Sequence, residues 1–258
     1  MSGLGKKFWY GFIINSLAVT IFYCVFEYLA YGRYMVVTDR DLIIILYMMQ
    51  WVFWGSLAII LIGALFFKLN RTFSVWLMAL ATLPLMPIGA ILLHGILLSN
   101  NQARFKQFAP LSKKEPMEWE VITLFNTDKI QITSAILLGS GSGLAYLSDS
   151  IVGIFVSSIA AIYLFNGLRL NKCPILAWTS ETVVITPNLF SESLLIPPVL
   201  IKQIAINDSG MVIDIECSDR IEKIHLKKSH FKQVNLEELE QKFLKYLQHV
   251  NQSEVISS

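Results

Sequence analysis

The chain has 258 residues, of which 54% are hydrophobic and only 16% charged, against about a quarter charged in soluble domains. Its formal net charge of +2 is the balance of an apolar first half and a tail crowded with both signs, which argues against a nucleic-acid partner. The three cysteines, Cys24, Cys173 and Cys217, are far apart, odd in number and outside any Cys-x-x-Cys pattern, so neither a disulfide framework nor a zinc site is expected.

Lys6 and Lys7 lead into an apolar stretch that is too long for a secretory signal and has no small-x-small cleavage site, so it reads as a retained span. Uninterrupted apolar runs predict three membrane-crossing helices: Phe8 to Tyr31, Leu42 to Phe67 and Ser74 to Leu98. Polar connections with Arg33, Asp39, Arg40 and Asp41, then Lys68, Asn70 and Arg71, divide them, while Trp9, Tyr10, Tyr31, Tyr34 and Trp76 suit the headgroup level. This three-span bundle occupies 1–99. A polar connector over 100–129 follows, with Pro110 and Pro116 opposing a helix and a strand expected near 119–125. The runs Ile130 to Leu147 and Ile151 to Leu168 are joined only by Ser148, Asp149 and Ser150 and predict a tight two-span hairpin over 130–168. The expected fold class is thus an α-helical membrane protein of five spans, three plus two, with a small α+β domain over 173–250 and a disordered tail over 251–258.

The hairpin carries a packing pattern. Ala135, Gly139 and Gly143 fall four apart on its first helix, and Gly153, Ser157 and Ala161 do so on its second. Small residues let membrane helices approach closely, so these two rows are expected to face each other. Gly139 to Gly143 could instead form an unwound ligand loop, but no Lys-Ser or Lys-Thr follows for a phosphate site.

With five spans the ends lie on opposite sides. Placing the amino terminus outside puts Arg33, Arg40, Arg104, Lys106, Lys113, Lys114, Lys129, Arg169 and Lys172 in the cytosol, and Lys6, Lys7, Lys68 and Arg71 outside. The positive-inside rule then predicts a cytosolic C-terminal domain, with the Lys6–Lys7 pair in dissent.

From Cys173 the pattern changes to short β-type runs: Ile175 to Trp178, Thr182 to Thr186, Leu194 to Pro197, Leu200 to Ile206, Met211 to Glu216 and Ile221 to Leu226. Asn207-Asp208-Ser209-Gly210 is a hairpin turn signal. A last helix is expected with Asn235 as N-cap and Glu238 at N3, its stripe of Leu236, Leu239, Phe243, Tyr246, Leu247 and Val250 packing on a sheet. The order of strand, two-span hairpin, short strands and closing helix resembles a bacterial family of membrane-attached proteins with a pleckstrin-homology-like (PH-like) domain. The resemblance covers roughly the second half and implies a small barrel closed by the helix. The three leading spans lie outside it.

No catalytic spacing and no metal cluster is found, so no enzyme and no cofactor is expected. Lys223, Lys227, Lys228 and Lys232 are candidate contacts for anionic lipid headgroups. In the first bundle Ser16, Thr20, Tyr23 and Glu27 form a polar stripe at helical spacing. His94, on a third span parallel to the first, is expected near the depth of Glu27, with Gln50 and Thr20 in reach, a candidate intramembrane polar site. The bland alternative is that Glu27 and His94 each reach interfacial water. The expected function is a non-enzymatic integral membrane interaction protein. Its partners would be the bilayer and a membrane or membrane-inserting protein, one version being an immunity protein against a membrane-targeting toxin. The alternative is a small transporter or channel accessory using Glu27 and His94. Oligomeric state is not legible.

Overall fold

The computed structural model describes residues 4–31, 40–111, 119–148, 150–217, 220–232 and 234–257. They divide into two compact units, Met1–Ala103 with Ile136–Ile162, and Arg104–Ala135 with Tyr163–Ser258.

The first unit holds α1 (Lys6–Tyr31), α2 (Arg40–Phe66), α3 (Arg71–Ala81), α4 (Gly89–Arg104) and most of α5 (Asp128–Ser148) and α6 (Ile151–Arg169). Among the described residues, four helical stretches are long and apolar enough to cross a bilayer: Lys6–Tyr28, Ile44–Phe66, Asp128–Ser148 and Ile151–Arg169. Their outward faces are apolar, with Trp51 79% and Leu65 78% exposed, which suits lipid and not water. This is a membrane protein.

The expected third span is not a continuous helix. Asn70 caps α3 by accepting from the Phe73 N–H. A 3-10 turn at Leu83–Leu85 and a cis Met86–Pro87 bond then separate α3 from α4. Proline removes the N–H that would continue the ladder and clashes with the preceding turn, and Pro84 and Pro87 do so in succession. The consequence is directional. Gly5 N–H donates to Ser99 Oγ at 3.0 Å. A Cβ on Gly95 would stand 2.9 Å from Phe8 Cα, and one on Gly11 2.9 Å from Leu92 Cα. Asn15 Nδ2 donates to Ile88 O at 3.3 Å. Numbers rise along α1 as they fall along α4, so the two helices are antiparallel. Glycines at both crossing points allow that close approach. The aromatic contacts Phe22–Phe53 and Phe26–Tyr47 make α1 and α2 antiparallel too, and Gly63 of α2 packs against Ser74 and Met78 of α3.

The second unit is β-rich. One sheet has the order β1 (Ala109–Pro110), β5 (Leu194–Ile196), β4 (Val183–Ile185), β3 (Pro174–Trp178), β2 (Val121–Leu124). The other runs β6 (Ile201–Asn207), β7 (Gly210–Cys217), β8 (Arg220–Lys227). All pairings are antiparallel. The stretch before the hairpin is therefore more than a connector, because β1 and β2 complete a sheet whose remaining strands follow Arg169. At the β6–β7 turn Asn207 Oδ1 accepts from Ser209 N, Ser209 Oγ and Gly210 N. Gly210 has φ +149°, and a Cβ there would stand 2.0 Å from Leu226 O, so only glycine fits.

Helix α7 (Leu236–Ser257) closes the core. Asn235 caps it by accepting from the Glu237 N–H, while Glu238 pairs with Lys242 at 2.7 Å in place of the reciprocal bond of a capping box. Trp178 stacks on Phe243 and Tyr246 at ring distances of 4.9 and 5.6 Å, an arrangement worth roughly 1 kcal/mol per pair beyond area burial. The helix runs through to Ser257, so the tail expected to be disordered continues it.

Candidate functional site

Glu27 and His94 are not brought together. His94 lies one residue from Gly95, which packs on Phe8, so its level on α1 is near residue 9. Glu27 is 18 residues further along α1, about 27 Å at 1.5 Å per residue. Equal depth required a third span parallel to α1, and α4 is antiparallel. Gln50, buried, sits between the Phe22–Phe53 and Phe26–Tyr47 contacts, on the Glu27 side of the bundle. Its Nε2 has no partner among the described residues. Two hydroxyls of the stripe are spent locally: Ser16 Oγ donates to Phe12 O at 2.9 Å and Thr20 Oγ1 to Ser16 O at 2.8 Å, bonds that satisfy a hydroxyl on its own helix.

A buried polar side chain that ties α1 to the turn before α4 is Asn15, which the stripe does not include. Only 1% exposed, it divides its amide between Gly11 O at 2.8 Å and Ile88 O at 3.3 Å. A lone asparagine at mid-length of a 26-residue apolar helix was the available signal.

The hairpin packs closely, with Gly153 and Ser157 of the expected α6 row in the contact but not the expected α5 row. Gly139 and Gly143 have nothing within 4 Å of where a Cβ would stand, and Ala135 and Ala161 face outward. The contact runs through Gly141, whose Cβ would lie 2.9 Å from Ser157 N, and Gly153, whose Cβ would meet the backbone of Ala145. Ser142 and Ser157 hydroxyls are 3.3 Å apart. Two residues turn a helix by about 200°, so Gly139-Ser140-Gly141-Ser142-Gly143 offers small rows on nearly opposite faces. At the reversal the Ser150 carbonyl accepts from Gly153 N.

The four headgroup candidates do not form one patch. Lys223 faces Asp214 at 3.5 Å across β7 and β8. Lys227, the last residue of β8, and Lys228, in the turn after it, are exposed. Lys232 reaches Asp128, the first residue of α5, at 3.0 Å. Beside that pair lies an open cavity of about 400 Å³ lined by Asn126, Asp128, Lys129, Ile132, Thr133 and Lys232. Two ammonium groups, one carboxylate, an amide and a hydroxyl therefore converge over the apolar Ile132 where an apolar helix begins. Asn126 is held by its N–H to His230 O at 2.7 Å, and the His230 ring lies 4.9 Å from that of Phe125. Burial first, then the charge of Lys227, depresses His230 to about 4, so it is neutral at pH 7 and adds no charge there.

Glu222 and Arg169 are tied into the fold. Glu222, almost buried on β8, is held by Arg104 and Arg220 at 2.5 and 2.7 Å. Arg169 donates to Leu189 O and Ser191 O, both at 2.8 Å. A shallow depression of about 540 Å³ beside β1 and β5 has its polar lining committed, Gln107 to Glu216 O and the Glu216 carboxylate to Lys202. Burial, ahead of the charge of Glu222, raises the Cys217 thiol, the reverse of an activated nucleophile. Among the described residues no group of three or more His, Cys, Asp or Glu could hold a metal.

Comparison with protein-family models, with curated proteins and with solved structures finds no match to this chain.

Proposed function

We propose that the chain is a non-enzymatic interaction protein of the bacterial inner membrane, whose β-rich region is a PH-like domain lying on the cytosolic face. The reading is supported by the order of elements, in which strand β2 precedes the α5–α6 hairpin, pairs with β3 immediately after it, and α7 closes the region. The observation that carries it is the basic cavity at the first turn of α5. An amphipathic pocket with Lys129 and Lys232 beside the start of a membrane helix suits the phosphate of an anionic lipid, each cation near the leaflet adding about 1 kcal/mol. The apolar outer faces of α1 and α2 are then available to a protein partner in the bilayer, and an immunity role against a membrane-inserting toxin is one form of this.

The test reconstitutes the full chain in nanodiscs of phosphatidylcholine with or without phosphatidylglycerol. Phosphatidylglycerol should raise the melting temperature of the native chain, and Lys129→Gln with Lys232→Gln should abolish the increment. An equal response of native and variant proteins would refute the headgroup contact. Crosslinking in native membranes then identifies the protein partner.

A further inference from the structure

We infer that residues 71–104 form a re-entrant helical hairpin that enters the bilayer from the side of Lys6 and Lys7, turns near mid-depth and returns to that side. The chain then crosses the membrane four times, not five, and its amino terminus lies on the same side as the β-rich region.

Depth is read along α1. From Lys6 to Asn15 the helix rises about 14 Å, close to half of the ~30 Å hydrocarbon core, and at Asn15 the side chain holds Ile88 O in the turn. Beyond that point α4 leads back toward the start of α1, until Ser99 meets Gly5. The other limb is also too short to cross: the 15 residues from Arg71 to Leu85 rise about 22 Å if wholly helical, less than the ~30 Å core.

The turn suits a site without water. Residues 83–88 are Leu-Pro-Leu-Met-Pro-Ile, with no polar side chain to draw them to a surface. Its prolines carry no N–H to be orphaned. Thr82 O, Leu83 O and Pro87 O accept from Leu85, Met86 and Ala90, and Ile88 O accepts from Ile91 and from Asn15. Irregular backbone survives at membrane depth when its polar groups find such partners in the protein. Phe73, Trp76, Leu80 and Leu83, exposed at helical spacing along α3 and the turn, form its lipid face.

Charge supports the same path independently. With four crossings, Lys6, Lys7, Lys68, Arg71, Arg104, Lys106, Lys113, Lys114, Lys129, Arg169 and Lys172 share one side, and Arg33 and Arg40 the other. Eleven against two replaces the nine against four of a five-span arrangement, and the Lys6–Lys7 pair no longer dissents from the positive-inside rule. The amino terminus is then cytosolic.

Two measurements on the full chain test this. In a background with Cys24, Cys173 and Cys217 replaced by alanine, Leu69→Cys and Gln102→Cys should both react with an impermeant maleimide only in inside-out vesicles, giving a labelling ratio above tenfold over right-side-out vesicles. Labelling of the two from opposite sides overturns the inference. With native cysteines retained, Gly5→Cys with Ser99→Cys should form a reducible crosslink, since the Gly5 Cβ position lies 3.4 Å from Ser99 Oγ. A continuous third span would hold those positions on opposite faces of the bilayer. Absence of the crosslink in a folded chain therefore also overturns the inference.

Discussion

The two helical hairpins of the membrane half, α3–α4 and α5–α6, look alike as apolar runs but differ in what lies at the bend. Ser148 and Ser150 flank the α5–α6 reversal, joining helices of 21 and 19 residues, each long enough to bring a polar turn out to water. Apolar residues and two prolines make the α3–α4 reversal, joining helices of 11 and 16 residues. A bend without polar side chains has nothing to gain at a surface, so it stays at depth and draws a partner, Asn15, to it. The chemistry of the turn, more than the length of the apolar run, separates a crossing from a return.

The largest expected effect tests the α3–α4 side of this contrast. Gly95→Leu drives a side chain into the Phe8 backbone and should destabilise the detergent-extracted protein by 3 kcal/mol or more, above the ~1–3 kcal/mol usual for overpacking, because backbone cannot yield. A melting temperature within 2 °C of native would show that α1 and α4 are not packed as described. For α5–α6, Gly141→Leu should cost about 2–3 kcal/mol while Gly143→Leu costs almost nothing, so equal losses in thermal unfolding would return the seam to the other row.

Asn15→Leu leaves Ile88 O short of one donor at depth and should cost about 1–2 kcal/mol. The same substitution on the outward face, Thr20→Leu, should be neutral or stabilising, and the difference between the two is the measurement. A control outside both hairpins is acidification. His230 is depressed to about 4 in the folded chain against 6.5 unfolded, so the unfolded state binds more protons in between. Its stabilising contribution is complete above about pH 6.5 and is lost as pH falls toward 4. Discounted for partial exposure, the loss is about 1 kcal/mol, and His230→Phe should flatten this part of the pH profile of β-region unfolding. The smallest effect is a null: Glu27→Gln and His94→Gln should add within about 0.5 kcal/mol in a double-mutant cycle, as sites about 27 Å apart do. A larger coupling would restore a third span parallel to α1.

Much of this is legible in the sequence. Leu42 to Phe67 and Ile151 to Leu168 read as spans and are helices, and the strands from Ile175 to Leu226 fall within about a residue of where β-type runs and turn signals put them. Local chemistry suffices there, since the β6–β7 turn is written in Asn207 and Gly210 themselves. The third span misled because hydropathy counts residues and is blind to direction; Pro84 and Pro87 oppose a continuous helix but do not say whether the chain continues or reverses. The site around Lys232 was visible as one lysine among four, without Asp128 and Lys129, which lie more than a hundred residues earlier.

The sequence by itself determined membrane residence, the helices long enough to cross, the strand-to-hairpin-to-strand order and the caps, because each depends on composition, period or a residue's own backbone preference. Only the tertiary structure decided that α4 runs against α1, that Gly141 and not Gly143 faces Gly153 and Ser157, and that Asn15 serves Ile88. Those outcomes depend on which of several sterically equivalent small or polar residues meets a backbone far along the chain. That choice is made by packing and by the need to satisfy every buried carbonyl, and no local pattern records it.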